Sequence, residues 1–266
     1  MAPAENRGID DLTRFAMKTL ERLGEESLKF YGKGDHNMKF DEELVTTAEL
    51  HLTQLFQDRL EKNFPEHQVL ESYNENGAYT HDEKRYLWIL DAIDGVDNFQ
   101  TGIPVWAVSL SLLENFWPIF GVIHMPATGD FFHAQAGRAA FRGKQKISIS
   151  AQKGVDDESL LLTFSRFHLH YNSSFPGKIR NLGCTSAHIC YVAMGRADAA
   201  IIANESFKGL AAARVLIESA GGKILKLDGS DFHLNEYLGG EKIDDHLLVV
   251  APKNLPAIMS CLRKVS

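Results

Sequence analysis

The stretch Trp88-Ile-Leu-Asp-Ala-Ile-Asp-Gly-Val-Asp-Asn-Phe99 decides the reading of this chain. Tyr86 to Leu90 is an apolar run that reads as a buried strand. It delivers two carboxylates, Asp91 and Asp94, immediately before a glycine turn. Unpaired carboxylates at the mouth of a buried strand are costly unless something cationic holds them. A hard divalent cation such as Mg²⁺ takes oxygen ligands and keeps waters that a phosphate can displace, so it suits the pair. A lone D-x-x-D is more often a solvated acidic turn, and the weight of the reading comes from what surrounds it.

Upstream, Ile9 to about Tyr31 is predicted as an amphipathic helix, with Leu12, Phe15, Ala16, Leu20, Leu23 and Leu28 at helical spacing. Gly32 to Asn37 is breaker-rich. A second helix spans about Glu43 to Asn63, stops before Pro65 and carries Glu49 in its first two turns. Gln68 to Glu71 reads as a short strand and Asn74 to Lys84 as a polar loop. Downstream, strands are predicted over Val105–Leu113, Pro118–Met125 and Asp130–Ala134, the last two joined by Pro126-Ala-Thr-Gly129, with Ala139–Ile149 continuing the sheet. From Ser159 onward, strands at 159–164, 199–203, 223–227 and 247–251 alternate with helices at 185–194 and 209–220 and a last one from Asn254. The pattern predicts an α/β (α+β layered) fold of alternating helix and sheet layers, one compact unit of two halves around a cleft. Residues 1–150 carry the candidate metal-binding carboxylates, and 151–266 close the pocket.

A chain of 266 residues can bury a sizeable core, and 44% hydrophobic with 24% charged residues is ordinary for a globular protein. A net charge of −7 argues against a nucleic-acid surface, so an anionic ligand depends on bound metal and local donors. Apolar runs are too short for a membrane span. The cysteines Cys184, Cys190 and Cys261 have no metal-ligand spacing, and a reduced, cytoplasmic setting is expected. His51, His124, His133, His188 and His246 are scattered and read as structural.

The opening segment resembles the D-P-[IL]-D-G-T-x-N-F signature of the inositol monophosphatase family of Mg²⁺-dependent phosphate monoester hydrolases. Phe120 to Phe132 is similar to that family's F-G-V-I-x-x-P-x-x-G-E-L-F hairpin. Arg180 to Ala187, Cys190 to Asp198, Ile217 to Gly222 and Leu227 to Ser230 follow in the family's order. The resemblance implies a Mg²⁺ site at Glu71, Asp91, the Ile93 carbonyl and Asp94, with Asp94 reaching toward a second ion. It also implies phosphate contacts from the backbone at Gly95, Val96 and Asp97, and a substrate-ring contact at Thr185, which otherwise caps the following helix. A homodimer is common in such proteins, and the substrate it implies is a small phosphorylated sugar or polyol.

Departures from the pattern fall on the chemistry. The family's water-activating threonine is Val96 here, and the aspartate that orients it reads as Glu49. The family's ligand for the second metal falls on Gly209, and its sugar-contacting glutamate on Ile202. Lys208 could put a positive charge where the second ion would sit and contact phosphate, although a solvent-facing lysine is the plainer reading. Glu205 is a further carboxylate near Gly209 in sequence. Two functions stand: a family protein whose hydrolysis is weak or lost and which serves mainly to bind, or an active Mg²⁺-dependent phosphatase with a rearranged site and a different phosphate monoester substrate.

Overall fold

The computed structural model describes residues 8–70, 85–239 and 241–265. Helices and sheets alternate in layers. The outer pair, α1 (Ile9–Ser27) and α2 (Glu42–Asn63), buries Leu12, Ala16, Leu20 and Leu23 from one helix against Ala48, Leu52, Phe56 and Leu60 from the other. The spacing of three and four residues within each set is a helix stripe turned to the core. Asp41 starts α2 by accepting the Leu44 N–H at 2.9 Å.

Below this pair lies a seven-stranded sheet whose order follows the chain: β1 (Gln68–Val69), β2 (Tyr86–Asp94), β3 (Ala107–Glu114), β4 (Trp117–Met125), β5 (Asp130–Gln135), β6 (Ala140–Arg142) and β7 (Gln145–Ile147). β1 runs parallel to β2, and the rest form an antiparallel meander. Alternation along β2 sends Trp88 and Leu90 to the α1/α2 side and Leu87 and Ile89 to the other. The six-residue helix α3 (Val96–Thr101) follows β2.

Beyond the sheet, α4 (Thr185–Ala193) and α5 (Phe207–Ser219) pack in the central layer. The second sheet contains β8 (Leu160–Thr163), β10 (Lys178–Arg180), β11 (Ala199–Ile202), β12 (Lys223–Lys226) and β13 (Leu247–Val250), in the order β10-β8-β11-β13-β12. β8, β10 and β11 are parallel. A separate pair joins β9 (Tyr171–Ser173) to β14 (Leu262–Lys264), and α6 (Leu255–Ser260) covers the outer face. The boundary expected near Ser150 falls between β7 and β8, and the central core draws residues from both sides of it.

Gly121 of β4 sets the depth of the central layer. A Cβ there would collide with the Ala212 backbone of α5, so glycine lets the helix lie directly on the sheet. That contact fixes where the first turn of α5 stands above the end of β2.

Several boundaries differ from expectation for local reasons. α1 stops at Ser27 rather than near Tyr31 because the following chain is drawn to α3, where Gly32 and Gly34 donate to the Phe99 and Gln100 carbonyls. α5 begins at Phe207 rather than Gly209 because the Ser206 side chain caps it, accepting the Gly209 N–H at 3.2 Å. β9, β10 and β14 are short and mostly exposed, so no alternating pattern announced them. The end of the strand expected at Glu71 and the polar loop over 74–84 lie outside the described residues.

Candidate active site

β2 does not end at Leu90 as expected; it runs through both aspartates. Asp91 faces Ser109 of β3, and Asp94 faces Ala107, so three steps on β2 match two on β3. In a regular strand, residues three apart point to opposite faces. The extra residue of this β-bulge sends both Ala92 and Ile93 into the α1/α2 core and leaves Asp91 and Asp94 on the other side together.

A glycine turn follows. Gly95 has φ 86°, and a Cβ on it would stand 3.0 Å from both the Cys184 Cβ and the Gly183 carbonyl oxygen. Only glycine allows this approach, which brings the loop before α4 against the end of β2. Asn98 staples the same loop, donating to the Val105 and Leu182 carbonyls at 2.6 and 2.7 Å. His188 holds it from behind: its Nε2 accepts the Leu182 N–H at 3.0 Å. Burial pushes the His188 pKa down to about 4, so the ring is neutral, as that bond requires.

With the loop in place, the N-terminus of α4 meets Asp94. Its carboxylate accepts the Thr185 N–H at 3.2 Å and the Ser186 N–H at 2.5 Å. These are two of the N–H groups that a helix start leaves without an internal acceptor. Thr185 is the first helical residue rather than the cap, a position held by Cys184. Its hydroxyl donates to Glu205 Oε1 at 2.5 Å.

Glu205 enters from the opposite side, just after β11. Asn204 takes a left-handed backbone (φ 60°) that turns the chain, and the Ile243 N–H donates to the Glu205 carbonyl at 3.1 Å. Gly209, one turn into α5, faces the same space. A Cβ on it would lie 3.2 Å from Glu205 Oε2 and 3.8 Å from Asp91 Oδ2.

The electrostatics record a surplus of negative charge. Burial raises the Asp91 carboxyl to about 7, aided by Asp94 and Glu49 and opposed by the Lys208 ammonium. Burial likewise lifts Glu205 to about 8, with Asp94 and Asp91 adding to the rise and the Thr185 hydroxyl opposing it. Glu49 is raised by burial and pulled back by Lys208. Lys208 therefore acts on both Glu49 and Asp91 and is partly buried. It does not bring Asp91 back to the ordinary carboxylate range.

The residues present fit a hard divalent cation. The donors are all oxygens, and among the described residues no hydrogen bond reaches the part-buried Asp91 carboxylate, whose lone pairs are available to a cation. Among the described residues, no three His, Cys, Asp or Glu side chains already close on one point. Glu71, the remaining carboxylate expected here, lies outside the described residues.

The structure thus brings together Asp91, Asp94, Glu49, Thr185, Lys208, Glu205 and Gly209. Val96 packs against the α1/α2 core and offers no hydroxyl. Asp97 is exposed, and Ile202 is buried in the central core, where it presents nothing polar. Sequence spacing did not show the bulge or the Asn98 and His188 supports, because each depends on a partner far along the chain.

The whole arrangement has close parallels. The sequence pattern of the inositol monophosphatase family matches residues 9–263. The inositol-1-monophosphatase of Caulobacter vibrioides is 32% identical over 202 residues, covering 71% of this chain and 78% of that protein. The fructose-1,6-bisphosphatase/inositol-1-monophosphatase of Thermotoga maritima is 26% identical over 227 residues, covering 83% and 87%. Among solved structures, a Thermotoga maritima IMPase superposes with a TM-score of 0.76 at 22% identity, over 94% of this chain and 96% of that one. Layered fold, ordered motifs and near-complete coverage agree: the chain belongs to the inositol monophosphatase family.

Proposed function

We propose that the chain binds a small phosphorylated sugar or polyol in a Mg²⁺-dependent way and hydrolyses it only weakly. The observation that carries the reading is a contrast within one turn of chain. Asp91 has no hydrogen-bond partner among the described residues, whereas Val96, five residues on, packs its partly buried methyls against the α1/α2 core.

Asp91, Asp94 and the Ile93 carbonyl would supply oxygen donors to the cation, and Glu71, outside the described residues, is the further ligand expected from the sequence. When bound, Mg²⁺ supplies charge stabilisation at the phosphoryl oxygens and a more acidic water. The first backbone N–H groups of α3, from Gly95 to Asp97, have no intrahelical acceptor and complement phosphate oxygens without needing a side chain. Lys208 adds a positive charge on the same side.

The weak point is proton handling. Positioned acid–base groups contribute typically ~10²–10⁴-fold, and a valine can neither accept nor pass on a proton. Glu49 is part-buried, which raises its carboxyl, with the Lys208 charge opposing the rise and no hydroxyl at residue 96 to relay through. Buried Ile202 offers no polar contact to a sugar ring, which disfavours a strict preference for inositol phosphate. No helix among the described residues is long and apolar enough to cross a membrane. A cytoplasmic homodimer acting on small molecules remains part of this proposal, and light scattering checks the dimer.

The test is phosphate release from sugar, inositol and nucleotide monophosphates, with and without Mg²⁺, beside Asp91→Asn. The reading expects slow, Mg²⁺-dependent release that Asp91→Asn abolishes. Turnover at the rate of an ordinary phosphatase, on the order of 10 s⁻¹, would refute weak catalysis and establish an active enzyme with a rearranged site.

A further inference from the structure

The second half of α5 borders a cavity that the site at Asp91 does not use. Its volume is about 510 Å³, the size of a small-ligand site. Trp117 and Pro118 line it from the start of β4, Gly137 and Arg138 from the turn after β5, and Arg214 and Glu218 from α5. Two more of its residues are tied to neighbouring backbone, which fixes the floor. The Ala136 N–H donates to the Ile119 carbonyl at 2.9 Å, and the Ser219 hydroxyl donates to the Gln135 carbonyl at 3.2 Å.

Local backbone devices present Trp117. Trp88 and Trp106 are fully buried, whereas Trp117 is 69% exposed. It follows a two-residue turn in which Asn115 (φ 49°) and Phe116 (φ 67°) are both left-handed. Hairpin turns of this kind usually put glycine second, and a bulky residue there is strained. A register slip between Leu112 and Leu113 adds one residue to β4. It turns Ile119 with Phe120 toward the α1/α2 core and leaves Pro118 with Arg214 at the cavity. A strained turn and a bulge together set a large aromatic ring at the cavity rim, in contact with water.

The cationic groups come from two elements. Arg214 is mostly covered, with 24% of its side chain exposed. Its Nε donates to Glu218 at 2.9 Å, and Nη1 and Nη2 bond to nothing among the described residues. Arg138 gives Nη1 to Asp10 at 3.2 Å, a pair exposed on both sides. Such exposed pairs are weak, and an incoming anion competes with them. Two guanidinium forks beside one carboxylate make the lining net positive, on a chain whose own net charge is −7. We propose that the cavity binds a small planar aromatic anion of nucleoside monophosphate size, its ring stacked on Trp117 and its anionic group held by Arg138 and Arg214. This site lies apart from the Mg²⁺-dependent one and does not rest on it.

Uridine monophosphate (UMP) titrated into the full chain in EDTA, with uridine and inorganic phosphate as the two half-ligands, tests this by calorimetry and tryptophan fluorescence. Trp117 is the exposed indole among the three tryptophans, so its quenching reports this cavity. UMP is expected to bind and quench, and each half-ligand to bind more weakly. Arg138→Gln and Arg214→Gln should each weaken UMP about tenfold or more, as loss of a charge-assisted hydrogen bond does. Trp117→Leu should weaken it about fivefold or more, through lost stacking. Thermal melts confirm that each variant folds. UMP that fails to bind wild type, or binds both arginine variants as tightly as wild type, overturns the assignment. Inorganic phosphate that binds as tightly as UMP overturns the aromatic class of ligand.

Discussion

Replacing Asp91 with asparagine should stabilise the metal-free protein most at pH 8, less at pH 5 and not at all below about pH 4. The carboxyl sits at about 7 in the folded chain against an ordinary 3.8, chiefly through burial and then through Asp94 and Glu49. A raised carboxylate pKa means that the folded state resists ionisation. The penalty is absent below the unfolded value near 4 and grows as pH rises, reaching its full size above the folded value near 7. A shift of about three units at 1.36 kcal/mol each sets a ceiling of roughly 4 kcal/mol. Sharing of the repulsion among Asp91, Asp94 and Glu49, together with partial solvent access, brings the realistic figure to about 1–2 kcal/mol. For a chain of this size that is a rise in Tm of roughly 2–8 °C. Circular dichroism melts in EDTA at the two pH values measure it. Mg²⁺ should raise the wild-type Tm at pH 8 and leave that of Asp91→Asn unchanged. An equal gain at pH 5 and pH 8, or a loss at pH 8, would refute the argument that uncompensated charge at Asp91 strains the fold.

Other outcomes follow from the same geometry. Gly209→Asp alone should lower stability at pH 8 by about 1 kcal/mol or more, since like charges crowd a site already short of cations; paired with Glu205→Ala it should be tolerated, as paired denaturant melts would show. Val96→Thr with Glu49→Asp, added to that tolerated pair, should raise Mg²⁺-dependent phosphate release at least ~10-fold, the lower end of what positioned proton transfer contributes. Gly95→Ala should cost about 2 kcal/mol or more and disorder the loop before α4, because a Cβ 3.0 Å from the Cys184 Cβ and the Gly183 carbonyl cannot be accommodated at φ 86°. Denaturation and hydrogen exchange of Thr185 and Ser186 would read that loss.

The layers were legible in the chain because helix stripes and strand alternation are local signals. Leu12, Ala16, Leu20 and Leu23, and the run from Leu87 to Leu90, sit where their spacing placed them. The acidic pair of the site was legible too, as carboxylates at the end of an apolar strand. How that pair comes to face one way was not. Asp91 and Asp94 share a side through a bulge defined by the register with β3, which spacing along β2 alone cannot express. The charges that Lys208 acts on were hidden for a similar reason: Glu49 and Asp91 come from α2 and β2, far away in sequence. Glu205 was visible as a nearby carboxylate, but its aim depends on Thr185 and Ile243, one from each side of it in the chain. Local pattern fixes elements; partners brought in by the fold fix the directions in which side chains act.

Binding of inorganic phosphate to the full chain, measured by calorimetry with and without Mg²⁺ and repeated on Asp91→Asn, bears most directly on the central claim. The account predicts phosphate binding that appears only with Mg²⁺ and disappears in the variant, whatever the rate of hydrolysis. Phosphate that binds equally well without Mg²⁺, or equally well to Asp91→Asn, would contradict it.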